Sequence, residues 1–139
     1  MYIKCEVNIK MQNSEIVADV FRNVLKNECE IDQQKEHFWV MGLTVKNKII
    51  YLELISLGSL TEGIVHPREV FRSAIFKGVA CLILCHNHPS GEGGPSEQDI
   101  TVTKTLKEGG KILGIKILDH IILGSNDIFS FAKEGMLGG

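Results

Sequence analysis

The sequence contains few of the residues that mark disulfide-stabilised or zinc-ribbon proteins. Its 139 residues include four cysteines and three prolines. No two cysteines form a CxxC pair, and a chain of this length can bury a core of its own, so it does not need disulfides for stability. We expect Cys5, Cys29, Cys81 and Cys85 to be reduced thiols.

Long apolar runs are also missing. No segment approaches the roughly 20 consecutive apolar residues that a membrane-spanning helix requires. The first ten residues, MYIKCEVNIK, are polar and charged and lack the apolar centre of a secretion signal. We therefore expect a cytoplasmic protein with no membrane partner.

Neither sign of charge is in excess. Fifteen lysines and arginines stand against seventeen aspartates and glutamates, for a formal net charge of -2. Such a chain has no global field to attract a polyanion. Direct binding of nucleic acid is therefore not expected.

What the sequence does contain is a regular alternation of helical and strand patterns. We expect, in order, a helix over 14–27, strands over 37–46 and 49–57, a helix beginning at Pro67, a strand over 79–85, a helix from Ser96 to about Glu108, and strands over 111–123 and 127–132. Gly109-Gly110 is expected to end the last helix. The pattern predicts one α/β domain over 1–139, with 1–12 as an N-terminal extension and a central mixed sheet flanked by helices.

Polar side chains follow the most apolar of these strands, in the run His86-Asn87-His88. If the strand continues that far, both imidazoles point to the same face. Asp99, in the first turn of the next helix, can reach them across a loop rich in glycine and proline. Two imidazoles and one carboxylate are a ligand set for catalytic zinc, which lowers the pKa of a bound water and polarises a carbonyl. The sequence thus predicts a Zn²⁺ site at His86, His88 and Asp99.

Hydrolysis at such a site also needs a proton shuttle and a donor to the oxyanion. Glu36, just before the first strand of the hairpin, is the candidate general base, and Ser96 is the candidate donor. By itself Glu36 is indistinguishable from a solvated charge, so its assignment depends on a family resemblance. Ser96 and Asp99 also fit a capping box, which would satisfy free N–H groups at the helix start.

The remaining histidines, His37, His66 and His120, are interpreted as packing or helix-entry residues. His120 follows Asp119 within an apolar strand, which leaves an ion pair or a substrate-facing role open. Cys81 and Cys85 share one face of a strand and are interpreted as small buried apolar side chains.

Several segments together resemble the RadC family, bacterial members of the JAMM (MPN) metalloprotease superfamily. The pattern H-x-H, seven residues, S, two residues, D is matched in full over 86–99. Further segments resemble the family in the same order, namely 36–38 (EHF), 65–71 (VHPREVF) and 118–122 (LDHII). Gly93-Gly94 replaces a polar, proline-containing stretch common in the family, and the helix-hairpin-helix region of longer members is not found.

The resemblance implies a JAMM/MPN-like fold of the cytidine-deaminase-like type. It also implies zinc bound by His86, His88 and Asp99, catalysis by Glu36 and assistance from Ser96. The leading hypothesis is a zinc metallopeptidase or isopeptidase with a peptide or isopeptide substrate. The alternatives are a protein associated with DNA repair and a scaffold with a non-catalytic zinc ion, and a homodimer is an open option.

Overall fold

A computed structural model describes residues 2–3, 14–58, 65–89, 91 and 94–137. Its elements are β1 (Tyr2–Ile3), α1 (Ser14–Lys26), α2 (Glu30–Gln33), β2 (His37–Leu43), β3 (Ile49–Leu57), α3 (Pro67–Lys77), β4 (Cys81–Asn87), α4 (Glu97–Leu113), β5 (Lys116–Leu123) and β6 (Ile128–Ser130). Among the helices in these ranges, none is long and apolar enough to cross a bilayer.

The strands within the described ranges form one sheet in the order β1-β3-β2-β4-β5-β6. β4 and β5 run parallel, and every other neighbouring pair is antiparallel. The parallel pair is joined through α4, as a crossover connection requires. The mixed sheet flanked by helices confirms the predicted α/β class.

Helices cover both faces of the sheet. α1 packs on one face, where Phe21 meets Ile83 and Cys85 of β4 in one cluster. α3 and α4 pack on the other face, over Leu82 and Leu84. Because β4 is buried on both faces, its sequence is continuously apolar and does not alternate with polar residues.

Several element boundaries differ from those that the sequence predicted. β2 ends at Leu43, and the chain turns over residues 44–48 with Asn47 at a positive φ of 63° and the Thr44 N–H bonded to Lys48 O at 2.9 Å. β4 begins at Cys81 and continues to Asn87. The short helix α2 was not predicted. In contrast, α3 begins at Pro67 as expected, and it ends before Gly78, which has a φ of 69°.

The prediction that Gly109-Gly110 ends a helix was wrong. α4 continues to Leu113, and Gly114 at φ 72° takes the left-handed position beyond it. A Cβ on Gly110 would lie 2.3 Å from Ile115 O, and one on Gly109 would lie 3.1 Å from Phe71 Cε2. The two glycines therefore allow α4 to lie close to the chain that enters β5 and to α3.

Part of the predicted N-terminal extension joins the sheet. Tyr2 pairs with Glu53 and Ile3 with Leu52, both antiparallel, so β1 extends the edge beside β3. Residues 4–13 lie outside the part of the chain that the structure describes.

The close approach at Gly110 can be tested by substitution. Gly110→Ala should lower the free energy of unfolding by about 1–3 kcal/mol, because its Cβ meets a backbone carbonyl that has no room to move. Gly109→Ala is the matched control. Its Cβ meets only the edge of a ring, and alanine favours a helix by up to about 1 kcal/mol, so we expect little change. Chemical denaturation measures both, and equal effects would contradict the packing role of Gly110.

Candidate metal centre

The candidate ligands on the sheet lie where β4 ends. His86 is inside the strand, and the N–H of His88 still bonds to Leu123 O at 2.9 Å, so the β4–β5 ladder extends one residue past Asn87. His86 is 2% exposed, whereas the side chain of His88 is 12% exposed. Both rings point to the face that α4 covers, and their centroids lie 4.9 Å apart. The site is thus buried on one side and open to solvent at His88.

The third candidate ligand comes from α4. The buried residues of this helix, Asp99, Thr103, Leu106 and Gly110, recur at helical spacing and form one stripe that faces the sheet. Asp99 opens the stripe and is 1% exposed. Packing of the apolar part of the stripe therefore turns the carboxylate towards the histidines.

The ligand atoms of His86, His88 and Asp99 all lie within 4.8 Å of one another. His88 Nε2 lies 3.0 Å from Asp99 Oδ2, and His86 Nε2 lies 3.6 Å from Asp99 Oδ1. Two ligand atoms at about 2.0–2.1 Å from a tetrahedral zinc ion would lie about 3.3 Å apart. The two separations run to different oxygens of Asp99 and both lie near this value, so the three side chains are close enough to share one ion.

A hydrogen bond sets the tautomer of His86. Its Nδ1 lies 2.9 Å from His37 O, and a carbonyl oxygen can only accept, so Nδ1 carries the proton. Nε2 then presents its lone pair towards Asp99. A backbone carbonyl behind a metal-binding imidazole commonly fixes the ring in this way.

The charge balance at the centre also favours a cation. Burial lowers the pKa of His86, and the charge of Asp99 opposes this only in part, so His86 is neutral at neutral pH. Within the described ranges, Asp99 forms no ion pair with a lysine or arginine, and its ion-pair partners are the imidazoles of His86 and His88. A divalent cation would balance a buried carboxylate in this position.

Glu36 lies one residue before β2. Phe38, two residues later, pairs with His86 in the antiparallel β2–β4 ladder, so the backbone of Glu36 lies beside the end of β4 that carries the histidines. Burial lowers the pKa of His86, whereas the carboxylates of Asp99 and Glu36 raise it. The Glu36 charge is thus within electrostatic reach of the metal centre.

Ser96 forms the capping box that the sequence left open. Its Oγ accepts the Asp99 N–H at 3.1 Å, and Asp99 Oδ2 accepts the Ser96 N–H at 2.9 Å. The hydroxyl has a proton of its own in addition to the oxygen that accepts this bond. The capping box therefore fixes the Asp99 carboxylate and is compatible with donation by Ser96 to another group.

The interpretation of His120 changes most, because its ring is bonded to Thr103 of α4. The Thr103 hydroxyl donates to Asp99 O at 2.6 Å, so its oxygen accepts from His120 Nδ1 at 2.5 Å. The His120 ring stacks on Phe131, with centroids 4.9 Å apart. Burial lowers the pKa of His120 to about 3, and repulsion from the protonated forms of His86 and His88 adds to the effect. His120 is thus a neutral ring that supports the start of α4 from behind.

The ion pair that the sequence left open for His120 is not formed. Asp119 turns away from the ring, and its carboxylate accepts from the His120 N–H at 2.8 Å, from Ser130 Oγ at 2.6 Å and from the Ala132 N–H at 2.9 Å. A substrate-facing role is also contradicted, because His120 is fully buried.

Of the other residues interpreted as packing groups, Cys81 is only partly buried, and the rest lie in the expected places. His37 is buried in β2, where its ring stacks on Trp39 with centroids 4.8 Å apart. His66 occupies the N-cap position of α3. Cys85 is fully buried, and burial raises the pKa of its thiol well above the ordinary value. Cys29, Cys81 and Cys85 are free thiols, and Cys5 lies outside the described residues.

A cavity of about 250 Å³ lies between α1 and the ends of β4 and β5, on the side of the sheet away from α4. Its lining includes Arg22, Lys26, Asn87, His88 and Pro89. His88 is the one candidate ligand among the residues that line it.

Comparison with known sequences points to one family. The model of the RadC-like JAB domain matches residues 11–136. A UPF0758 protein of Caldanaerobacter subterraneus subsp. tengcongensis is 56% identical over 101 residues, which are 73% of this chain and 43% of that protein. A UPF0758 protein of Methanococcoides burtonii is 54% identical over 104 residues, 75% of this chain and 45% of that protein. One from Finegoldia magna is 47% identical over 126 residues, 91% and 54% of the two chains. The chain spans about half the length of the curated relatives it matches.

The buried state of His120 predicts how stability depends on pH. The folded protein holds this ring neutral down to about pH 3, whereas the unfolded chain takes up a proton near the ordinary pKa of 6.5. The resulting contribution to stability is present above about pH 6.5 and decreases as the pH falls from there towards 3. The thermal midpoint of metal-free wild type should therefore fall more steeply between about pH 7 and pH 5 than that of His120→Gln. His66→Gln is the control, and equal slopes for wild type and His120→Gln would contradict the prediction.

Proposed function

Because this chain belongs to the family of RadC-like JAB domains, we propose that it is a zinc-dependent hydrolase that cleaves peptide or isopeptide bonds. The observation that carries the proposal is the group of His86, His88 and Asp99, whose ligand atoms all lie within 4.8 Å of one another. Three protein ligands leave a fourth position on tetrahedral zinc, which is the arrangement of catalytic zinc sites.

Zinc held by these three residues would act as a Lewis acid and would lower the pKa of a water molecule. The protein's own contribution is orientation. The His37 carbonyl fixes the ring of His86, and the capping box fixes the carboxylate of Asp99. Burial of both side chains keeps bulk water from the inner side of the site, where electrostatic interactions are then stronger.

Glu36 is the proposed general base. It precedes β2 by one residue, and Phe38 of β2 pairs with His86, so its backbone lies beside the strand end that carries both histidines. This place is suited to accepting a proton from the attacking water. The same carboxyl group would then give the proton to the leaving amine. This transfer leaves Glu36 ionised for the next cycle, so no other proton carrier is needed.

Ser96 is the proposed donor to the oxyanion that develops on the substrate carbonyl. Its oxygen accepts the Asp99 N–H at 3.1 Å, which holds the hydroxyl beside the metal centre. A donor fixed in advance costs no reorganisation when charge develops.

Substitution of Glu36 tests the proposed chemistry and separates an enzyme from a scaffold. Glu36→Gln should leave fold and zinc content unchanged and lower turnover by about 100-fold or more, because the amide cannot take a proton. Glu97→Gln, an exposed carboxylate in the first turn of α4, is the matched control and should retain activity. The measurements are zinc per chain by elemental analysis and cleavage of a library of quenched fluorescent peptides and isopeptides.

Two results would count against this function. The metal site would be contradicted if purified wild type bound no zinc and His86→Ala were as stable as wild type under the same conditions. A zinc-loaded protein with Glu36→Gln as active as wild type would indicate that the zinc ion has a structural role, as in a scaffold.

The two roles of Ser96 can be separated by changing its side chain. Ser96→Asn keeps a good N-cap and loses the hydroxyl, so stability should be near that of wild type while turnover falls by about 10-fold or more. Ser96→Ala removes both, and should also lower the free energy of unfolding by about 1 kcal/mol. Thermal unfolding and turnover are measured on the same preparations, and full activity in Ser96→Asn would limit Ser96 to helix capping.

A further inference from the structure

The residue between the two histidines faces the opposite side of β4. Asn87 is 3% exposed, and both ends of its side-chain amide bind main chain on the neighbouring segment. Its Oδ1 accepts the N–H of His37 at 2.5 Å, and its Nδ2 donates to Lys35 O at 3.1 Å. The Asn87 amide thus spans the residue that lies between these two, which is Glu36.

These bonds begin where main-chain pairing of the two strands stops. Phe38 and His86 are the last Cα pair of the antiparallel β2–β4 ladder. One residue further on, the Asn87 side chain supplies the acceptor and the donor that backbone groups supply within the ladder. The segment that carries Glu36 is therefore attached to β4 by a side chain.

Other bonds hold the same segment. The Glu36 carbonyl accepts the N–H of Gly58 at 2.8 Å, from beyond the end of β3. The His37 ring donates to Lys35 O at 2.8 Å. Asn87 supplies the bonds from β4, and neighbouring His86 donates to His37 O. The backbone on both sides of Glu36 thus takes its position from the two residues that begin the histidine motif.

We propose that Asn87 is a positioning residue for hydrolysis, which fixes the backbone of Glu36 relative to the metal centre. The inference rests on the proposed function of Glu36. One strand end thereby carries both the metal ligands and the group that sets the distance of the base from them. Since small displacements of a base are costly in rate, this coupling links metal binding and proton transfer in one rigid unit.

An amide is the side chain that this position requires. It offers one acceptor and one donor at a fixed separation, which match one N–H and one C=O of the Glu36 segment. Aspartate has nearly the same shape but no donor, so it keeps the bond to His37 and places an oxygen against the Lys35 carbonyl. Alanine keeps neither bond. Asn87→Asp therefore removes one of the two bonds, and Asn87→Ala removes both.

The first test uses metal-free protein and needs no substrate. Amide hydrogen exchange of His37, followed by NMR, should be at least about 10-fold faster in Asn87→Ala than in wild type, because the N–H loses its only acceptor on β4. Asn87→Asp should keep slow exchange. The amide of Val40, in the middle of β2, is the internal control, and Asn126→Ala, an exposed asparagine in the β5–β6 turn, is the control variant. Unchanged exchange at His37 in Asn87→Ala would overturn the proposal.

The second test is a double-mutant cycle in the zinc-loaded protein. Asn87→Ala should lower kcat by about 10- to 100-fold, with KM and zinc content little changed. In a Glu36→Gln background the same change should have almost no further effect on kcat, because the group that Asn87 positions no longer takes a proton. If Asn87→Ala lowered kcat by the same factor with and without Glu36→Gln, or if Asn87→Ala lost zinc, Asn87 would act on something other than Glu36.

The two tests separate failure of this inference from failure of the proposed function. If wild type hydrolyses nothing, the hydrolase function fails, and exchange at His37 still decides whether Asn87 holds the segment. If Asn87→Ala does not fold, Asn87→Asp replaces it in the cycle, where loss of the bond to Lys35 O should again lower kcat only when Glu36 is present. If Asn87→Asp lowered kcat by the same factor in the Glu36→Gln background as in wild type, the inference would be overturned.

Discussion

The antiparallel pairing of β2 with β4 is the constraint on which the candidate site depends. Its register sets Phe38 beside His86, and from this one pair the positions of the neighbouring residues follow. Side chains two residues apart on a strand share a face, so His86 and His88 face α4 while Asn87 faces the other way. A slip by one residue would exchange these faces and separate the histidines from Asp99.

The helix that completes the centre is held by a different kind of contact. Asp99 belongs to the same buried stripe as Leu106 and Gly110, so the apolar packing of α4 on the sheet also sets the position of the Asp99 carboxylate relative to the histidines. Near the other end of α4, Gly109 and Gly110 let the helix lie close to α3 and to the segment that enters β5. Thr103 and His120 then connect the helix to β5 behind the ligands. Shape complementarity along the whole helix thus contributes to the geometry at its first turn.

Burial gives the centre its chemical character. Neutral imidazoles are required for metal binding, and burial favours the neutral form of His86. The same burial makes an uncompensated carboxylate costly, which increases the gain from binding a cation. The side chains of His86 and Asp99 are almost fully buried and that of His88 is partly exposed, so solvent or a ligand can reach the site at His88.

The sequence determined the elements whose signals are local. The helix at Pro67, the apolar strand before His86 and the cap at Ser96 each depend on residues that are close in the chain, and the structure contains all three. The H-x-H spacing and the family resemblance also singled out the three residues that the fold brings together.

Only the tertiary structure decided what depends on residues far apart in the chain. Gly110 lies within a helix where the chain before β5 leaves no room for a side chain, and Gly109 lies against the ring of Phe71, facts that no local pattern contains. Asn87 and His120 look like an ordinary strand-end amide and a packing histidine until their partners, 52 and 17 residues away, are known. Local propensity acts over one or two turns of chain, whereas packing and buried hydrogen bonds join residues that only the completed fold makes neighbours.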